Sequence, residues 1–192
     1  VSAFSEDMMK KANIEDVRGL TDLTPGFSGR TEDSFNDALS IRGISTNDFG
    51  IGGDPSVGIF MDGVYEGRTG GAISSFFDMS GAEVVKGPQG TLFGRNAIAG
   101  AVSMRTNKPN EEFGGNVSLG LEEYNHVDVT GTINIPLSDK WAFRASGHHF
   151  QDDGYLENLY DGKKLGGHDR SAVRAAIRYT SDVWDSTATV FY

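Results

Sequence analysis

The pattern of apolar and polar positions changes near Pro109. After it, apolar residues fall at every second position. Val117, Leu119 and Leu121 alternate with Ser118, Gly120 and Glu122. Val127, Val129, Gly131, Ile133 and Ile135 alternate with Asp128, Thr130, Thr132 and Asn134. Trp141–Ala145, Val173–Tyr179 and Trp184–Tyr192 continue the alternation. A period of two predicts five strands, each with one apolar and one polar face. The connections at Pro136–Lys140 and Ser181–Val183 are short, Tyr124–His126 is brief, and Asp152–His168 is long and polar.

Before Pro109 the pattern is mixed. Val1–Phe4 reads as a short strand, and Ser5 as the cap of a helix through Ala12, with Glu6 and Asp7 in its first turn. Asn13 is placed to cap a second helix, Ile14–Leu20. Thr24-Pro25-Gly26 breaks the chain. Ala38–Ile41, Val57–Met61, Glu83–Lys86 and Ala101–Thr106 read as strands, and Asp62-Gly63 as a tight turn. Wide loops are expected at 44–55 and 66–80. The chain therefore divides into a small α+β domain, 1–109, and an antiparallel segment, 110–192.

Composition narrows the function. A net charge of −10 leaves little to neutralise phosphates, so nucleic acid is not an expected partner. With no cysteine there is no disulfide, thiolate metal site or cysteine nucleophile. No apolar run is long enough for a membrane helix, which leaves a β-barrel open. Short turns at one edge and a longer loop at the other are how outer-membrane barrels are laid out. Tyr124, Trp141, Phe150, Tyr179, Trp184 and Tyr192 lie near strand ends, where interfacial girdles form. A soluble sheet with one wet face fits the alternation as well. Five strands are fewer than any closed outer-membrane barrel contains, so the sheet is expected to be incomplete.

The stretch VVKGPQGTLFGRNAIAGAV, residues 84–102, carries Gly87, Gly90, Gly94 and Gly100. Its spacing is that of neither a P-loop nor a dinucleotide fingerprint, and AVSMRT after it reads as a strand. No nucleophile elbow and no zinc-protease helix occurs. His148 and His149 are adjacent in a strand and point to opposite faces. No catalytic residue, metal site or cofactor is expected. The glycines are expected to serve the backbone, through positive φ and close packing.

LSIRGI (39–44), DPSVGIFMDGVYEGR (54–68) and AEVVKGPQGTLFGRNAIAGAVSMRTNKP (82–109) together resemble the N-terminal part of TonB-dependent outer-membrane receptors. The resemblance covers the whole chain and implies a plug domain, 1–109, followed by the first strands of a transmembrane barrel. In that family the barrel has about 22 strands, with the plug filling its lumen. About 17 strands would then be missing, and the energy-coupling box that the family carries ahead of its plug is expected to lie outside this sequence. By analogy 123–126 and 151–169 are extracellular, and 136–140 and 180–183 periplasmic. The implied function is uptake of a scarce nutrient across the bacterial outer membrane. A ferric siderophore is the default cargo, with iron arriving only as part of it. Oligosaccharide, cobalamin and haem are alternatives, as is a ligand-binding or signalling module without transport. Implied partners are TonB with its inner-membrane motor complex, and outer-membrane lipid and lipopolysaccharide.

The resemblance places plug apices at 45–53, 66–72 and 76–79. Asn47, Asp48, Phe49, Glu66, Arg68, Phe76 and Phe77 are the expected ligand contacts. Arg68 would pair with an anionic group, and Phe49 and Phe76 would stack on a ring. Arg42, Glu83, Lys86, Arg95 and Arg105 are expected to pair with wall carboxylates or with one another, since a buried unpaired charge is costly.

Overall fold

The computed structural model describes residues 1–14, 16–31, 37–46, 54–67, 76–94 and 96–192. They form two compact units, Val1–Asn107 and Lys108–Tyr192.

The first unit runs β1 (Ser2–Ser5), α1 (Glu6–Lys11), α2 (Val17–Asp22), β2 (Phe27–Thr31), β3 (Asp37–Ile41), β4 (Val57–Met61), β5 (Val64–Tyr65), β6 (Met79–Lys86), α3 (Gly90–Phe93) and β7 (Gly100–Thr106). Its main sheet has the order β1-β6-β7-β4-β5. β4 and β7 are parallel, and every other neighbouring pair is antiparallel. β2 and β3 form a separate antiparallel ladder. One sheet face supplies Ile59, Val84, Val102 and Met104 to a core shared with Val17, Leu20 and Ile41. The alternate positions Phe60 and Ala101 pack with Ala97, Tyr65 and Phe93 on the other face. β4 is apolar throughout because it lies inside the sheet with both faces covered.

Ser5 caps α1, its Oγ accepting the Met8 N–H at 3.3 Å. The second helix differs from the sequence expectation. Asp16 is its cap, accepting the N–H groups of Arg18 (2.8 Å) and Gly19 (3.3 Å). Asn13 has φ 50° and belongs to the end of α1, its N–H reaching the Lys10 carbonyl. Asn and Asp both serve at helix ends, and here the left-handed conformation decided which end Asn13 took. β2 was not expected, because Phe27–Thr31 has no clean alternation and follows a Pro-Gly break.

The second unit runs β8 (Gly114–Glu122), β9 (His126–Ser138), β10 (Trp141–Asp152), β11 (Leu156–Glu157), β12 (Lys164–Leu165), β13 (His168–Thr180) and β14 (Asp185–Phe191). Five of these make an antiparallel sheet of order β14-β13-β10-β9-β8. β11 and β12 form a small hairpin within the 152–168 connection, which the sequence presented only as a polar loop. The β8–β9 turn is tight, with Tyr124 at φ 61° and Asn125 at φ 56°.

Register fixes the two faces. One carries Val117, Leu119, Val129, Ile133, Val173 and Val190 in cross-strand rows. Val117 is 80% exposed and Val190 70%. An exposed apolar face of this extent suits lipid and not water. Trp141 and Tyr179 pair across β10 and β13 on this face, ring centroids 4.9 Å apart, at the end with the short turns. The opposite face carries Asn134, Arg144, Ser146, His148, Arg170, Arg174 and Arg178. Phe150 is a correction to the girdle expectation. It lies on this polar face and is buried, because its position in β10 shares the parity of Arg144 and His148.

Candidate functional site

In the first unit, side chains at the strand ends tie the sheet to the roots of its loops. Asn96 is buried with φ 63°. Its Nδ2 donates to Asp54 Oδ1 (2.9 Å) and to Tyr65 Oη (2.7 Å). Asp54 directly follows the 47–53 segment, and Tyr65 precedes the one that begins at Arg68. One amide inside the glycine-rich stretch thus anchors the roots of both. A hydroxyl contact between Thr46 and Ser56 closes the first root from either side. Asp62, at φ 50° in the β4–β5 turn, accepts the Thr106 N–H (2.9 Å) and hydroxyl (2.7 Å). Asp78, at φ 53°, accepts from Asn107 Nδ2 (3.0 Å). In three of these anchors a short polar residue in the left-handed region reaches a partner distant in the chain. The sequence marked Asp62-Gly63 as a turn and gave no signal for Asn96 or Asp78.

Of the expected ligand contacts, Asn47, Asp48, Phe49 and Arg68 lie outside the described residues. Glu66 is half-buried just beyond β5, and its N–H donates to the Ile59 carbonyl at 2.8 Å. Phe77 is only 6% exposed, and Phe76 packs on the main core. Phe77 therefore faces the interior, while Phe76 is partly buried. Both lie just ahead of β6, whose first residue Met79 is in the same core.

The charged group sorts differently. Glu83 and Arg105 form an ion pair across β6 and β7. Lys86 Nζ donates to the Pro25 carbonyl at 2.8 Å. Arg42 is exposed with φ 55°, its N–H on the Gly26 carbonyl at 2.7 Å. Arg95 lies outside the described residues. Among the glycines, Gly87 (φ 96°) and Gly94 (φ 77°) hold positive φ, and Gly90 opens α3. Gly100 is enclosed: a Cβ there would lie 2.3 Å from the Val85 carbonyl oxygen.

In the second unit, residues 109–112 are fastened to the polar face. Asn134, 3% exposed, donates to Asn110 O (3.0 Å), Asn110 Oδ1 (2.8 Å) and Glu112 O (2.6 Å), and accepts the Asn110 N–H (3.1 Å). Arg178 donates to the Pro109 carbonyl (3.1 Å) while its fork holds Asp185 through two bonds of 2.8 Å. Asn134→Ala is expected to release this segment at a cost of roughly 1–2 kcal/mol, since it removes hydrogen bonds whose Asn110 and Glu112 partners are exposed and can turn to water. Hydrogen exchange at Asn110 and Glu112 should accelerate in the variant. Unchanged exchange there would show that Asn134 is not the fastening.

Residues 1–101 match the family model of the TonB-dependent receptor plug domain. The chain is 29% identical over 187 residues to the pesticin receptor of Yersinia pestis, covering 94% of this chain and 27% of that protein. It is 34% identical over 94 residues to the iron-regulated outer membrane virulence protein of Vibrio cholerae (strain ATCC 39315 / El Tor Inaba N16961), covering 43% of this chain and 14% of that protein. Its fold is similar to that of the ferric yersiniabactin uptake receptor FyuA from Yersinia pestis, with TM-score 0.87 and 23% identity over 99% of this chain and 31% of that one. The chain thus spans about a third or less of the length of these relatives. It belongs to the TonB-dependent receptors of the bacterial outer membrane, as a plug domain joined to antiparallel strands of the kind that wall their barrels.

Proposed function

We propose that this chain is the plug and first wall strands of an outer-membrane receptor that imports a ferric siderophore, energised through TonB and its inner-membrane motor complex. The observation that carries the reading is the pairing of a plug sheet, its loop roots anchored by Asn96, with a sheet whose faces divide into apolar and polar. The apolar face would meet outer-membrane lipid and lipopolysaccharide, and the polar face the lumen. Two relatives have names that point to iron, one to iron regulation and one to uptake of a ferric chelate.

On this reading the protein performs no covalent step and needs no resident cofactor. Ligand would settle on the segments around Asn47, Asp48, Phe49, Glu66 and Arg68. Movement of the plug would then admit it. Growth of a receptor-deletion strain on a panel of ferric siderophores, haem, cobalamin and oligosaccharides tests the cargo. A defect confined to ferric siderophores supports the proposal. A defect confined to an oligosaccharide overturns it.

A further inference from the structure

Three histidines and an arginine converge on the polar face of the second unit, at the end bearing the long β10–β13 connection. One cross-strand row holds Asp128, Phe150 and Arg170, and beyond it Asp152 pairs with His168 and His126 with Glu122. His148 stands in the next row. Phe150 is 7% exposed although its face is polar. The Arg170 guanidinium carbon lies 4.7 Å from its ring centroid, and the His126 ring meets it edge-on at 4.8 Å. His168 follows at 6.3 Å.

Two of the nearby carboxylates already have histidine partners. Asp128 Oδ2 is 3.0 Å from His148 Nε2. Asp152 Oδ2 is 3.0 Å from His168 Nδ1, and its Oδ1 accepts the Gly154 N–H at 2.7 Å. Arg170 is left with the aromatic face. Its Nε is buried without a hydrogen-bond partner, and it makes no ion pair among the described residues. Arg178, on the same face, has a carboxylate and a carbonyl. A half-buried guanidinium without an acceptor is costly to fold and is satisfied when an anion arrives. Stacking on Phe150 fixes its plane in advance, which lowers the ordering cost of a two-pronged contact.

We infer that Arg170, held on Phe150 and flanked by His126 and His168, is an anion-binding subsite on the lumenal wall that favours a negatively charged ferric chelate over a neutral one. It rests on the siderophore reading and deepens it by assigning a charge to the cargo.

The test is equilibrium binding to the intact receptor of two probes, a trianionic ferric tris-catecholate and a neutral ferric tris-hydroxamate. Wild type should bind the trianion more tightly, and added salt should narrow the difference. Arg170→Gln should weaken the trianion by about tenfold or more, the scale of a charge-assisted contact, and leave the neutral chelate unmoved. Arg170→Lys should recover part of the loss. Equal weakening of both chelates, or no weakening of the trianion, would overturn the subsite and mark Arg170 as structural. Binding of the neutral chelate alone would overturn the subsite and leave the uptake reading standing. Binding of neither would remove both.

Discussion

Gly100→Ala is expected to break the plug sheet, at a cost of about 3 kcal/mol or more. Gly100 opens β7 at φ 156° and pairs with Lys86 of β6. An added Cβ would meet the Val85 carbonyl oxygen at 2.3 Å and Ile41 Cδ1 at 2.7 Å. The first obstacle is backbone in a paired strand, which yields only by separating β6 from β7. The second is a fully buried side chain. Gly90 belongs to the same stretch and serves as the control. It has open space around it and starts α3, so Gly90→Ala should be neutral or slightly stabilising. Hydrogen exchange across 79–106 in the intact receptor should rise sharply for Gly100→Ala and stay level for Gly90→Ala. Similar exchange in the two variants would contradict this account of the glycines.

Asn96→Ala should cost roughly 2–4 kcal/mol and loosen both loop roots. It removes two hydrogen bonds from a buried amide, leaving Asp54 and Tyr65 without their donor. It also places a Cβ residue without a helpful side chain at φ 63°. Asn96→Gly separates the effects, since it relieves the backbone and still loses the bonds. Both variants should raise exchange at 54–66 and weaken ligand binding by about tenfold. Wild-type exchange and affinity in Asn96→Ala would mean that the roots are held by something else.

Much of this fold could be read from period and turn chemistry. The alternation after Pro109 pointed to five strands and to most of their faces, and it fails at Phe150, an apolar residue on the polar face of β10. Residues 82–106 gave the strands around the glycine stretch. What escaped depended on tertiary context. Asn13 and Asp16 are both good helix-end residues, and only conformation separates their roles. Phe76 and Phe77 looked like a loop tip because nothing local reveals that the core begins there. Asn96 and Arg170 look ordinary in sequence. Asn96 gains its role from Asp54 and Tyr65, distant in the chain. The role inferred for Arg170 depends on Asp128 and Asp152 being held by His148 and His168.

The most direct test of the central claim is uptake of radioactive iron by a strain lacking this receptor and complemented with the intact gene. Ferric siderophore is supplied with and without a working inner-membrane motor. The account predicts iron accumulation only when receptor and motor are both present, and binding without accumulation when the motor is removed. Accumulation that persists without the motor, or that is the same with and without the receptor, would contradict it.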